Sequence, residues 1–224
     1  MTVLAHAAER LARARLYGIL DLGYVAPDAV ERTAEQMCAG GVDVIQLRAK
    51  GFDEHAIEEL ANRIALIVQG AGVPLIINDH PELVPSVGAN GAHVGQEDLS
   101  VADARWRAGR ALAGEVPPPI IGKSTHSVEQ ALAAAEEGAD YIGFGPLFPT
   151  PTKAGRPAIG LADIARVHDI LRVPIFCIGG VKLENLAAVI AAGARRVVIA
   201  SGILQAPDIA AYCREARGRL AVVS

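Results

Sequence analysis

The chain makes one kind of joint repeatedly. Ala39-Gly40-Gly41-Val42-Asp43-Val44, Glu137-Gly138-Ala139-Asp140-Tyr141-Ile142 and Ala192-Gly193-Ala194-Arg195-Arg196-Val197 each run from a helix end through glycine into a strand-like apolar run. Glycine ends helices well because it enters left-handed backbone without a Cβ clash. Around these joints, short apolar runs alternate with longer stretches of helical periodicity. Continuous apolar runs, as opposed to apolar-polar alternation, mark parallel strands covered on both faces. Strands are expected at Leu16–Leu20, Val42–Leu47, Pro74–Ile77 and Gly91–Val94, from Ile120, from Tyr141, at Val173–Ile178 and at Arg196–Ala200. About eight strands alternating with helices imply a single (β/α)8 barrel of the TIM type in preference to a Rossmann sheet. No dinucleotide glycine fingerprint follows the first strand. An amphipathic helix over Ala5–Arg15 is additional to the repeat.

With 224 residues, 51% hydrophobic and only 4% aromatic, the chain can fill one substantial core with aliphatic side chains. A single domain over 1–224 is the economical reading. A formal net charge of -4 gives no electrostatic reason to expect a nucleic-acid partner, although local positive charge can still meet a phosphate. Cys38, Cys177 and Cys213 are odd in number and scattered, unlike a disulfide framework or a thiolate metal site. Cys177 lies in an apolar run and reads as a small buried hydrophobe. The N-terminus has no basic end followed by an apolar run, and no apolar segment reaches membrane-spanning length. The expectation is a soluble cytoplasmic protein that does not engage membranes.

In such a barrel the ligand site forms where the strands end. The second strand ends in Gln46-Leu47-Arg48-Ala49-Lys50, and period-two alternation places Gln46, Arg48 and Lys50 on the side opposite Leu47. A planar guanidinium fork and a mobile ammonium suit phosphate oxygens. The third strand stops at Asn78-Asp79-His80 and the fourth leads to Asp98, so Asp79 and Asp98 end adjacent units and can share an oxygen-preferring Mg²⁺. His93, inside the short fourth strand, reads as structural, and Glu97 as a surface or capping carboxylate. After the fifth strand, Ser124 can donate to a phosphate, Ser127 can cap the next helix, and His126 is either a loop residue or a proton-transfer group. The sixth strand opens into Gly145-Pro146-Leu147-Phe148-Pro149-Thr150-Pro151-Thr152-Lys153, where Thr150, Thr152 and Lys153 repeat the anion-binding logic in a loop able to close. Gly179-Gly180 and Ser201-Gly202 follow the last two strands, where backbone N–H groups can take a terminal phosphate.

Taken in order, these segments, together with Gly91-Ala92-His93-Val94-Gly95-Gln96-Glu97-Asp98 and Gly122-Lys123-Ser124-Thr125-His126, resemble the thiamine-phosphate synthase family over essentially the whole chain. The resemblance implies an eight-stranded barrel that condenses a hydroxymethylpyrimidine diphosphate with a hydroxyethylthiazole phosphate, with or without a 2-carboxylate. The products would be thiamine phosphate and pyrophosphate. It implies that Gln46, Arg48, Lys50, Asn78, Ser124 and Lys153 hold the pyrimidine diphosphate. Arg48, Lys50, Ser124 and Lys153 would carry catalysis through the departing charge. Asp79 and Asp98 would bind Mg²⁺, and Thr150, Thr152, Gly180, Ala200 and Ser201 would hold the thiazole phosphate.

The chain departs from the family pattern at Ala49, usually glutamate, at Asn90, often acidic, and at His80, where an acid is common. A thiazole tautomerase using His126 for proton transfer and a non-catalytic phosphate-binding regulator are the competing readings. Asp79, Asp98 and the Thr150-to-Lys153 run favour the synthase. Monomer and homodimer are both open.

Overall fold

The computed structural model describes residues 3–110, 118–150 and 157–221. In chain order the elements are α1 (Val3–Arg13), β1 (Leu16–Asp21), α2 (Val30–Ala39), β2 (Val44–Arg48), α3 (Glu54–Gly70), β3 (Leu75–Asn78), α4 (Val84–Val87) and β4 (Gly91–Val94). There follow α5 (Val101–Gly109), β5 (Ile120–Thr125), α6 (Val128–Glu136), β6 (Tyr141–Phe144), α7 (Ile164–Ile170), β7 (Ile175–Cys177), α8 (Leu183–Ala191), β8 (Val197–Ile199), α9 (Ser201–Leu204) and α10 (Ile209–Ala221). The strands pair in parallel, each with the next, and β8 closes on β1. The expected TIM-type barrel with an extra N-terminal helix is therefore what forms.

Strand alternation divides the core in two. Tyr17, Ile19, Val44, Ile76, Ile120, Tyr141, Phe176 and Val198 point inward and form one apolar cluster. Their neighbours Leu16, Leu20, Ile45, Leu47, Leu75, Ile77, Ile121 and Ile142 pack outward against the helices in a second. Ala7, Leu11 and Ala14 join the inner cluster, so the amphipathic face of α1 and the turn after it seal the barrel end where the strands begin. The opposite end, where the strands finish, opens into a cleft.

The repeated joint has a mechanical reason. Gly41, Gly138 and Gly193 take left-handed backbone (φ 81°, 88° and 104°), and Gly72 after α3 and Gly88 after α4 do the same (φ 68° and 65°), adding two joints that the sequence pattern had not revealed. Just beyond three of these glycines, a side-chain oxygen reaches back to the start of the preceding strand. Asp43 Oδ2 accepts from Arg15 N and Leu16 N at 2.8 and 2.9 Å, Asn90 Oδ1 from Leu75 N at 2.9 Å, and Asp140 Oδ2 from Ile121 N at 2.7 Å. These bonds satisfy otherwise orphaned strand-end donors. An amide oxygen accepts as well as a carboxylate there, which accounts for Asn90.

Some boundaries differ from expectation. β5 runs on through Ser124 and Thr125, so Ser124 sits on a rigid strand. α7 begins at Ile164, four residues after the left-handed Gly160 (φ 74°). Asp28 lies in a 3₁₀ turn, Pro27–Ala29, and caps nothing through its side chain. Ser127 does cap α6, accepting from Gln130 N at 3.2 Å. The 3₁₀ turn Pro81–Leu83 and the short α4 were not anticipated, since neither is long enough to show helical periodicity. Among the described residues no helix is long and apolar enough to cross a membrane.

Candidate active site

At the carboxyl ends of the strands lies a cleft of about 910 Å³, counting its open mouth. Of the residues expected from sequence, Gln46, Arg48, Asn78, Ser124, Thr150, Gly180, Ala200 and Ser201 all line it, as does His126. Lys50, Asp79 and Asp98 do not line the cleft itself. Thr152 and Lys153 fall outside the described residues.

Arg48 is held by Asp21, one residue beyond the expected strand Leu16–Leu20. Asp21 ends β1 in direct register with Arg48 on β2. Its Oδ2 lies 2.7 Å from Arg48 Nη1, and its Oδ1 accepts from Gly23 N at 2.9 Å. Asp21 is 2% exposed. The pair points a guanidinium fork into the cleft while using only part of its donor set. Ala49 faces the other way, into the helix-facing core, so the carboxylate beside Arg48 comes from the neighbouring strand.

The loop after β3 brings the two remaining polar groups of this quadrant together. Asp79 is the one described non-glycine residue in left-handed backbone (φ 63°), pinned by its N–H to His93 O at 2.9 Å. Such a conformation costs on the order of 1 kcal/mol for a non-glycine residue and concentrates at functional sites. Asp79 Oδ2 lies 3.2 Å from the Lys50 ammonium. Asp98 is exposed and turns Oδ2 onto Gly95 N at 2.7 Å. Among the described residues the Oδ1 of each aspartate meets no protein donor. Next to Asp79, donor atoms of Glu54, His80 and Glu82 lie within 4.8 Å of one another, a group able to hold a divalent cation. His80 thus brings a nitrogen donor where the family pattern commonly has an acid.

The opposite wall is built from backbone. Gly179 and Gly180 follow β7 with φ 94° and 68°, and a Cβ on them would lie 2.4 Å from Pro146 Cα and 2.7 Å from Phe148 Cβ. Glycine is needed there because the loop after β6 lies directly against the turn, with Leu147 N donating to Ile178 O at 2.8 Å and Phe148 N to Gly179 O at 3.0 Å. The glycine N–H groups take no partner among the described residues. Beside them Ser201 opens α9, whose first N–H groups point from a helix start.

The cleft floor was not foreseen. Tyr17 and Tyr141, each 1% exposed, meet hydroxyl to hydroxyl at 2.9 Å, with Phe176 edge-on to both rings. Gln46 Nε2 donates to Tyr17 at 2.9 Å. His93 ring nitrogens lie 3.1 Å from the Tyr141 hydroxyl and 2.9 Å from Ser124 Oγ. Burial pushes both phenols well above their ordinary value, so they stay protonated. His93, expected to be structural, bridges Tyr141 and Ser124 and itself lines the cleft. Tyr17 and Tyr141 each sit inside an apolar run, which makes their polar ends invisible to periodicity. His126 Nδ1 bonds the Gly145 carbonyl, and burial pushes the Cys177 thiol up to about 12, which suits neither nucleophile nor ligand.

A family model described as thiamine monophosphate synthase matches residues 16–203. A thiamine-phosphate synthase from Thermus thermophilus is 44% identical over 199 residues, covering 88% of this chain and 92% of that protein. The chain belongs to the thiamine monophosphate synthase family. A second family relative, from Thermobifida fusca, is 41% identical over 217 residues and covers 95% of this chain and 94% of its own. Among solved structures, the thiamine phosphate pyrophosphorylase of Pyrococcus furiosus matches with a TM-score of 0.82 at 26% identity, over 96% of this chain and 98% of that one. The stretch matched by the synthase family model contains every strand and every cleft residue named above.

Proposed function

We propose that the protein joins 4-amino-2-methyl-5-(diphosphomethyl)pyrimidine to 4-methyl-5-(2-phosphoethyl)thiazole, or its 2-carboxylate, giving thiamine phosphate and pyrophosphate. The observation that carries this reading is a single cleft with two separate anion-binding walls. Arg48 and Ser124 stand on β2 and β5, and the N–H groups of Gly179, Gly180 and Ser201 stand after β7 and β8. One substrate carries a diphosphate and the other a phosphate, so each wall has an occupant.

The chemistry asks for little proton movement. The bond between the pyrimidine methylene carbon and the diphosphate oxygen breaks, and its electron pair leaves with the diphosphate. The electron-rich aminopyrimidine spreads the positive charge left on carbon, and the thiazole nitrogen lone pair forms the new C–N bond. The protein's task is to hold both partners in line and stabilise the departing charge. Arg48 and the Ser124 hydroxyl are placed for that, with Lys50 beyond the cleft and Lys153 assigned by family resemblance. Gln46 and Asn78 recognise the polar ring edge, and Thr150, Gly180, Ala200 and Ser201 seat the thiazole phosphate.

Asp79 and Asp98 are the proposed magnesium ligands. Both offer carboxylate oxygen, the donor a hard cation prefers, and among the described residues each keeps one oxygen clear of protein donors. A bound Mg²⁺ would supply Lewis-acid charge to the diphosphate oxygens. The Glu54, His80 and Glu82 group, with its imidazole, suits a softer divalent metal better.

The test is turnover with each component omitted in turn. Purified protein, Mg²⁺ and both heterocycles should yield thiamine phosphate and pyrophosphate together by mass-resolved chromatography, and omitting either heterocycle or the cation should abolish or strongly reduce both. Consumption of a thiazole tautomer without either product would reject the reading in favour of proton transfer at His126.

A further inference from the structure

The floor of the cleft contains an unbroken chain of hydrogen bonds that joins one recognised end of the pyrimidine site to the other. It runs Gln46 Nε2, Tyr17 Oη, Tyr141 Oη, His93 Nδ1, His93 Nε2, Ser124 Oγ, with successive contacts of 2.9, 2.9, 3.1 and 2.9 Å across its four bonds. All five residues are at most 8% exposed.

Counting hydrogens gives the chain a direction. A phenol has one hydrogen to donate, and among the described residues Tyr17 has only Gln46 and Tyr141 as hydroxyl partners. If Gln46 donates to Tyr17, Tyr17 must donate to Tyr141, and Tyr141 must donate to His93 Nδ1. A neutral imidazole that accepts at Nδ1 carries its hydrogen on Nε2. His93 then donates to Ser124 Oγ, and the Ser124 hydroxyl hydrogen is turned away from His93, on a side chain that lines the cleft. Rotating the Gln46 amide by half a turn reverses every link. Tyr17 would then donate to Gln46, and Ser124 would spend its hydrogen on His93. The two ends of the chain cannot choose independently.

We propose that Tyr17, Tyr141 and His93 are positioning residues forming a one-way relay, through which recognition of the pyrimidine's amino group at Gln46 commits Ser124 to donate its hydrogen bond to the departing diphosphate. The inference rests on the proposed function and deepens it. An exocyclic amine needs an acceptor, so it selects the Gln46 rotamer that shows Oε1 to the cleft and Nε2 to Tyr17. A ring with a carbonyl at that place would select the opposite rotamer and leave Ser124 as an acceptor facing an anion. The relay therefore rejects an oxo-pyrimidine diphosphate at the chemical step as well as at binding. Buried networks in which every member is satisfied tend to act as units, which is what such coupling requires.

Two readouts test it. The first is the His93 tautomer in [¹⁵N]histidine-labelled wild-type protein with pyrimidine diphosphate and Mg²⁺ bound, assigned by comparison with His93→Gln. The neutral form with hydrogen on Nε2 is expected, and hydrogen on Nδ1 would overturn the proposal. The second is a kinetic double-mutant cycle of Tyr141→Phe with Ser124→Ala. Tyr141→Phe alone should lower kcat by about 10- to 100-fold while changing KM for the pyrimidine diphosphate less than about threefold. In the Ser124→Ala background the same change should lower kcat by less than about threefold, because the hydrogen it positions is gone.

Equal losses in both backgrounds would reduce Tyr141 to a packing residue and overturn the relay. If Tyr141→Phe does not fold, Tyr17→Phe breaks the chain one link earlier and carries the same cycle. Failure of the wild-type protein to make thiamine phosphate would reject the proposed function and with it this inference. Normal wild-type turnover with multiplicative losses would reject the relay alone.

Discussion

Asp21→Asn separates the two jobs of the ion pair beneath the cleft. Arg48 Nη1 and Asp21 Oδ2 are 2.7 Å apart with side chains 15% and 2% exposed, so the substitution leaves a guanidinium poorly hydrated and without its counter-charge. Removing one partner of a fully buried pair costs about 3–5 kcal/mol. Arg48 keeps some water, and asparagine keeps an acceptor for Gly23 N, so about 1.5–3 kcal/mol is the fitting range here. For a chain of this length that is a fall in Tm of roughly 3–12 °C. The diphosphate brings counter-charge of its own, and Asp21 repels it, so KM for the pyrimidine diphosphate should hold steady or fall. The fork is no longer aimed, however, and kcat should drop about tenfold or more. Urea denaturation with and without pyrophosphate and steady-state kinetics read both effects, and pyrophosphate should stabilise the variant more than the wild type. Stability within about 0.5 kcal/mol of wild type together with unchanged kcat would refute the reasoning.

Three further outcomes are expected. Gly180→Ala places a Cβ 2.7 Å from Phe148 Cβ at φ 68°, which should raise KM for the thiazole phosphate more than for the pyrimidine diphosphate and cost about 1–2 kcal/mol of stability. Asp43→Ala removes the acceptor for Arg15 N and Leu16 N and the partner of Arg217, so urea denaturation should show a loss of about 2–4 kcal/mol with kcat per folded molecule unchanged. His168 is depressed to about 4 by burial and then by Arg195 and Arg196, with Asp169 opposing. Its neutral form therefore stabilises the fold fully above the unfolded value of about 6.5, and that contribution is lost as pH falls from there toward 4. His168→Leu should flatten the stability profile across this window by on the order of 2 kcal/mol, and an unchanged slope would contradict the assignment.

The barrel was legible because its signals are local. Glycine joints, apolar runs and helical periods each report on a few consecutive residues, and the closed sheet follows from their alternation. The strand-end residues Gln46, Arg48, Asn78 and Ser124 were legible for the same reason, since polar atoms at the end of an apolar run stand out. Asp21 was not, because its role depends on register with Arg48 one strand away. Tyr17 and Tyr141 were hidden among aliphatic neighbours, and only closure of the ring brings hydroxyls separated by 124 positions together. Gly88 was missed because α4 is a single turn without a period of its own.

A crystal structure of the protein with thiamine phosphate, pyrophosphate and Mg²⁺ tests the two-walled cleft most directly. The thiamine phosphoryl group should lie on the N–H groups of Gly179, Gly180 and Ser201, and the pyrophosphate on Arg48 and the Ser124 hydroxyl, with the cation against Asp79 and Asp98. The pyrimidine amine should meet Gln46 Oε1. Both anions on one wall, or a pyrophosphate away from Arg48 and Ser124, would contradict the proposed division of the cleft and the chemistry built on it.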